Sequence, residues 1–283
     1  MPNPNQLNSV YLSKLLYENE TYKKEHDRLI EIFKRNNIDY EYIDGTKDIW
    51  CRDYMPIQVT KDKFVQFRYE PSYLSDDLDL QSNTKEICKL NNIEPIFSNI
   101  NLDGGNVISY SDKIIMTDRI FDENPQYKDK TQLIKELESL LEAEIIIIPK
   151  INTDLTGHAD GMIRFLNDST VLVNHRDKDY KYIAKGINKA MKEHNIDVID
   201  IPFFDYKHKS KKYRDNAIGC YLNYLEIGDI IVLPIFEVEG NKDKEVIEKF
   251  KAIFPNRKIE TINYNSVGLE GGLLNCTTWT VQK

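Results

Sequence analysis

Gly157-His158-Ala159-Asp160-Gly161-Met162-Ile163-Arg164-Phe165-Leu166-Asn167-Asp168-Ser169-Thr170-Val171-Leu172-Val173-Asn174 is the stretch from which the architecture can be read. A glycine-bounded polar loop opens it, and two apolar runs follow, separated by an Asn167-Asp168 turn signal of the kind that joins antiparallel strands. The same plan recurs on both sides. One hairpin reads Ile57-Gln58-Val59-Thr60-Lys61-Asp62-Lys63-Phe64-Val65-Gln66-Phe67, another runs from Asn106 to Ile120 and turns at Ser111-Asp112, and a further one runs from Tyr221 to Phe236 and turns at Gly228-Asp229. Repetition at this interval points to one supersecondary unit used several times.

Between the hairpins the apolar period changes from two to three or four. Leu133, Leu137, Leu140 and Leu141 mark one face of an amphipathic helix, and helices are predicted near 22–36, 77–90, 128–141, 180–194 and 242–254. Each precedes a β-rich run, at 38–43, 94–100, 144–149, 197–203 and 258–263. Five helix, strand, loop and hairpin units therefore account for the chain. The last stops at Trp279-Thr280-Val281-Gln282-Lys283, too soon for its own returning strand, so the segment around Ser9 to Ser13 is expected to supply it and close a ring.

Composition bounds the class. At 283 residues, 41% hydrophobic and 30% charged, the chain can bury a large core and is read as one domain over 1–283, with no Pro/Gly/Ser-rich linker. A formal net charge of -8 opposes a phosphate-binding surface and favours a cationic ligand, so no nucleic-acid partner is expected. Met1-Pro2-Asn3-Pro4-Asn5 lacks the basic and apolar regions of a secretory signal, and apolar runs such as 145–148 are too short to span a bilayer. A cytoplasmic protein without a membrane partner is expected, and self-association is left open. Cys51, Cys88, Cys220 and Cys276 are spaced too irregularly for a disulfide framework or a zinc site and read as reduced thiols.

Asp53, Asp103, His158 with Asp160, Asn223 and Cys276 each fall near the start of the strand that enters a hairpin, one set per unit. Arranged in a ring, equivalent loops converge on one end of its axis. A guanidinium is planar and cationic, and paired carboxylates match its N–H fork, which suits Asp53 and Asp160. Taken alone, Asp53 reads equally as a structural partner of Arg52, and Asp160 as a turn residue. His158 lies two residues before Asp160 and shares its face in extended chain, where an imidazole can give a proton to departing ammonia and take one from water. Alone it reads as a core histidine, and His26, His175, His194 and His208 have no such neighbours. Cys276 is the candidate nucleophile, against the ordinary fate of a cysteine as a small buried residue, which is accepted for the other three. Two nearby carboxylates would raise its pKa, so a bound guanidinium and His158 must offset them. Gly104-Gly105 and Gly271-Gly272 read as tight turns that also let backbone approach a ligand. Trp50, Asp103, Asn106 and Asn223 are candidate substrate contacts. Arg68 and the basic run 207–214 are candidates for recognising a carboxylate or forming a lid, and Tyr69 and Tyr73 for walling an aliphatic stem.

The motifs Trp50-x-Arg52-Asp53-x-x-Pro56, Asp103-Gly104-Gly105-Asn106, Gly157-His158-x-Asp160-Gly161-x-x-Arg164-Phe165, Tyr221-x-Asn223-x-Leu225 and Gly271-Gly272-x-x-Asn275-Cys276 resemble, in order and spacing, those of the agmatine deiminase and Porphyromonas-type peptidylarginine deiminase family of guanidine-modifying enzymes. The resemblance implies a five-bladed pseudosymmetric α/β-propeller, or pentein, of ββαβ units, with no metal or organic cofactor. It also implies Cys276 as nucleophile, His158 as acid and base, and Asp53 and Asp160 as guanidinium ligands. The implied activity is hydrolysis of a small guanidine, agmatine first, giving N-carbamoylputrescine and ammonia, a step toward putrescine. Arginine or peptidylarginine deimination and arginine dihydrolysis are the alternatives, and a noncatalytic ligand-binding propeller is the reading from another class. Agmatine deiminases typically carry Gly-Gly-Gly-x-x-His-Cys before the nucleophile and Glu before the paired glycines; this chain has Glu270, two glycines and Asn275 in the first place and Asp103 in the second.

Overall fold

Five three-stranded sheets carry the architecture of the computed structural model, which describes residues 1–175 and 181–283. In four of them a hairpin is followed by a helix and a third strand: Ile57–Gln58, Phe64–Arg68 and Ile96–Asn101; Ile108–Tyr110, Lys113–Thr117 and Glu144–Ile148; Ile163–Asn167, Thr170–His175 and Asp197–Pro202; Leu225–Ile227, Ile230–Ile235 and Lys258–Asn263. The middle strand is antiparallel to the first and parallel to the third. Parallel neighbours need a crossover, which the helices Thr84–Leu90, Lys130–Leu141, Lys181–Glu193 and Asp243–Ile253 provide. The fifth sheet joins the two ends of the chain. Ser9–Ser13 is its middle strand, antiparallel to Trp279–Val281 and, through the helix Lys23–Arg35, parallel to Asp39–Ile43. The fold is thus a five-unit α/β propeller.

Packing follows the periodicity that predicted it. Leu133, Leu137 and Leu141 are fully buried in one cluster with Ile114, Met116 and Ile145, each contributing about 1.5–3 kcal/mol by leaving water. Ser111 at φ 53° and Gly228 at φ 55° make the tight hairpin turns expected at those positions. The 77–90 helix is shorter than expected and starts at Thr84. The side chain of Asn83 accepts the Glu86 N–H at 3.2 Å and caps the first turn, whereas 72–74 form a separate 3₁₀ turn. The expected start of the 180–194 helix, at Tyr180, lies outside the described residues. The described helix runs from Lys181 to Glu193.

The loops entering each sheet place the polar residues. Asp53 sits on the helical turn Cys51–Tyr54 before Ile57, Asp103 precedes the 3₁₀ turn Gly104–Asn106, His158 and Asp160 precede Ile163, Asn223 precedes Leu225, and Cys276 precedes Trp279. No helix among the described residues is long and apolar enough to cross a membrane.

Candidate active site

Cys276 meets two residues drawn from other units. Its thiol donates to Asp160 Oδ2 at 3.3 Å and accepts from Asn223 Nδ2 at 3.1 Å. The carbonyl oxygen of the Asn223 side chain takes the backbone N–H groups of Asn275 at 3.0 Å and Cys276 at 3.3 Å, so one amide fixes both the turn carrying the sulfur and the sulfur itself. Asp160 Oδ2 also accepts Asn275 Nδ2 at 2.9 Å. Burial, Asp160 and Asp53 push the thiol well above its ordinary pKa. Without a cation the sulfur therefore rests as a neutral thiol, its proton directed at Asp160.

His158 is buried between two carboxylates, with Nε2 against Asp103 Oδ2 at 2.8 Å and Nδ1 3.6 Å from Asp53 Oδ1. Burial opposes its charge, but Asp53 and Asp103 outweigh that and push its pKa up to about 10. The neighbouring acids thus favour the protonated ring. Nε2 is committed to Asp103, while Nδ1 stands beyond a normal hydrogen bond and is the nitrogen left to serve a reacting group. Burial raises Asp53 to about 8, with His158 opposing the rise and Asp103 and Asp160 adding to it.

Two glycine pairs allow these approaches, and only the second uses a positive φ. A Cβ at Gly105 would lie 2.5 Å from His158 Nδ1 and 2.6 Å from Asp53 Oδ1, while the Gly105 N–H donates to Asp53 Oδ1 at 2.9 Å and its carbonyl accepts the Asp160 N–H at 3.1 Å. Close contact, rather than the turn conformation expected for Gly104-Gly105, demands glycine there. Gly271 has φ +106°, and a Cβ on Gly272 would strike the indole of Trp50, 2.9 Å from Cε3. Trp50 thus lies against the loop that leads to the sulfur.

The expected residues separate into two groups. Cys276, Asp160 and Asn223 are in direct contact, as are His158, Asp103 and Asp53, and the Asp160–Gly105–Asp53 bonds tie the two sets together. Asp53 bonds Gly105 rather than forming the alternative pair with Arg52. Asp103 touches His158 directly, so its position is that of an orienting carboxylate. Asn106 is not brought to the sulfur: its side-chain oxygen takes the Thr117 N–H at 2.9 Å and hydroxyl at 3.0 Å, bracing the hairpin. Arg68 pairs with Glu70 at 3.2 Å and has no bond to either group. The run 207–214 is tethered to this end of the ring by Lys212 and Glu270 at 3.3 Å. His26 bonds Tyr42 and Asp27, and His194 pairs with Glu144. The side chain of His175 lies outside the described residues. Cys51 and Cys88 are buried and bonded to Thr277 O and Gln66.

Sequence reasoning offered Tyr73 only as a wall for an aliphatic stem and passed over Asn275 and Arg164 as working parts. Tyr73 donates to Asp103 Oδ2 at 3.0 Å, sharing the oxygen that holds His158. Arg164 Nη1 donates to Asn275 Oδ1 at 2.9 Å and so aims the amide that holds Asp160. The signal for this last pair was present, since Arg164 and Asn275 both stand within the quoted motifs, but only folding brings them together.

A thiol, an imidazole and three buried acids stand at one end of a five-unit α/β propeller. The chain belongs to the Porphyromonas-type peptidyl-arginine deiminase family, whose model matches residues 10–281. It is 22% identical to a Mycoplasma capricolum protein named "Putative agmatine deiminase", over 69% of this chain and 61% of that one, and 22% identical to a Listeria monocytogenes "Putative agmatine deiminase 2", over 95% and 81%. The chain thus spans about three-fifths of the length of the Mycoplasma relative. The agmatine deiminase of C. jejuni with substrate bound shares the fold at TM-score 0.80 and 18% identity, covering 100% of this chain and 96% of that one.

Proposed function

We propose that the chain is a deiminase (iminohydrolase) of small guanidines, agmatine first, and that Cys276 is its nucleophile. The observation that carries the reading is the contact of the Cys276 thiol with Asp160, 3.3 Å apart, tied through Gly105 to the group in which Asp103 holds His158. A guanidinium bound between Asp53 and Asp160 supplies the positive charge that the thiol lacks in the empty site. With the cation present, the thiol gives up its proton to water and the thiolate adds to the guanidine carbon. The tetrahedral adduct collapses as one nitrogen leaves as ammonia with the proton of His158, giving a thiouronium on Cys276. Water, deprotonated by the now neutral His158, adds to that carbon, and the C–S bond breaks. The products are a ureido compound and ammonia; from agmatine, N-carbamoylputrescine.

Agmatine is favoured over arginine by the names of the relatives and by the engagement of Arg68 with Glu70, away from the thiol. Purified protein is to be incubated with agmatine, arginine, arginyl peptides and methylated arginines while ammonia and ureido product are measured beside Cys276→Ala. Product from agmatine with the native protein alone supports the reading. Turnover of arginine instead moves the substrate, turnover by the variant removes the nucleophile, and silence on all substrates favours a ligand-binding propeller.

A further inference from the structure

Behind Asn275 lies a second polar cavity of about 80 Å³, lined by Arg52, Arg164, Glu226, Asn275 and Thr280 and bordered by Pro2 and Pro4. The thiol, the imidazole and the acids of the active site are not among its walls. A water occupies roughly 10–15 Å³ on this measure, so the space accommodates several waters or a small polyatomic ion.

Its charge is unbalanced. Arg52 donates from Nε to Asn275 O at 3.3 Å and from Nη2 to Thr280 Oγ1 at 3.3 Å, and among the described residues no carboxylate pairs with it. Arg164 spends Nη1 on the Asn275 amide at 2.9 Å, stacks on Tyr224 at 4.6 Å and approaches Glu226 Oε2 only at 3.8 Å. The other oxygen of Glu226 is taken by Arg257 at 2.9 Å. Arg164 and Arg257 therefore share one carboxylate, and Arg52 pairs with none among the described residues. Asp160 favours the charge of Arg52 from beyond Asn275, whose amide it bonds, but makes no ion pair with it. Burial, and then the neighbouring Arg164, work against the charge of Arg52. A cation in that position gains most from a mobile counter-ion.

We propose that this cavity binds a small monoanion, chloride or a short carboxylate, between Arg52 and Arg164. The site is independent of the deiminase reading and adjoins the nucleophile, since the Arg52 N–H donates to Cys276 O at 3.1 Å and Arg164 holds the amide that aims Asp160. An anion there clamps both guanidinium groups and, through Asn275, the nucleophile turn.

Chloride NMR line broadening on the whole chain, in a gluconate background, tests the site, with formate as competitor. Saturable broadening that formate displaces is expected. Glu226→Gln removes the one negative wall and should tighten chloride binding about tenfold, because like charges at such separations repel strongly where water is scarce. Arg52→Gln should abolish it. Should Arg52→Gln fail to fold, Glu226→Gln still decides. Broadening that does not saturate, or equal affinity in the native chain and Glu226→Gln, overturns the proposal.

Discussion

Removing residues 1–14 takes out the middle strand of the sheet that joins the two chain ends. Val10 and Leu12 are fully buried in the native chain, and exposing or deleting two such side chains forfeits about 3–6 kcal/mol at roughly 1.5–3 kcal/mol each. The strands 39–43 and 279–281 would also lose their hydrogen-bonding partner, since both pair with Ser9–Ser13 and not with each other. Against a total stability of about 5–15 kcal/mol, this is a large share. At roughly 2–4 °C per kcal/mol for a domain of about 150–250 residues, Val10 and Leu12 alone correspond to a fall in Tm on the order of 10 °C. Thermal melting followed by circular dichroism on the truncated chain reads this directly, and Leu12→Ala, expected to cost about 2–5 kcal/mol, separates core loss from strand loss. A truncated chain that melts with the native one would refute the reasoning that the N-terminal strand closes the ring.

Three further outcomes follow from the site. Gly105→Ala places a Cβ 2.5 Å from His158 Nδ1, so turnover should fall about a hundredfold, with stability lowered by about 1–3 kcal/mol from overpacking; unaltered kcat would show that the approach is not needed. Asp53 has its pKa raised to about 8 in the empty site, and a bound guanidinium favours its ionised form. Calorimetry of agmatine binding to Cys276→Ala should therefore show proton release below pH 8 and an affinity that rises by up to about tenfold per pH unit before levelling above it, whereas a flat profile counts against Asp53 as a ligand. The thiol is raised by burial, Asp160 and Asp53, so the pH midpoint for its alkylation should move down when an inert cationic analogue is bound. An unmoved midpoint would contradict cation-assisted ionisation.

Hairpin turns and crossover helices were legible because both are local. Ser111-Asp112 and Gly228-Asp229 carry their own backbone chemistry, and the leucines of 133–141 carry their own period. The helix expected from Asp77 was misplaced because acidic and leucine residues at 77–80 fit a helical pattern, while Asn83 supplied a better cap and left Leu78 and Leu80 exposed. Within the site, residue types were readable and their pairings were not. Asp103 and Asp53 look alike in sequence, yet one is bonded to His158 and the other to a glycine amide, an assignment made by the packing of Gly105 between loops of different units. Asn106 shows the converse, a polar residue in a site motif whose side chain is consumed by Thr117.

The central claim is that Cys276 attacks a guanidine carbon held among loops of separate units. Rapid acid quenching of native protein with agmatine, followed by intact-mass measurement and peptide mapping, tests it most directly. The account predicts a transient adduct on Cys276 with the mass of agmatine less one ammonia, lost in Cys276→Ala together with ammonia release. Ammonia formed at the native rate by Cys276→Ala, or an adduct mapped to another residue, would contradict it.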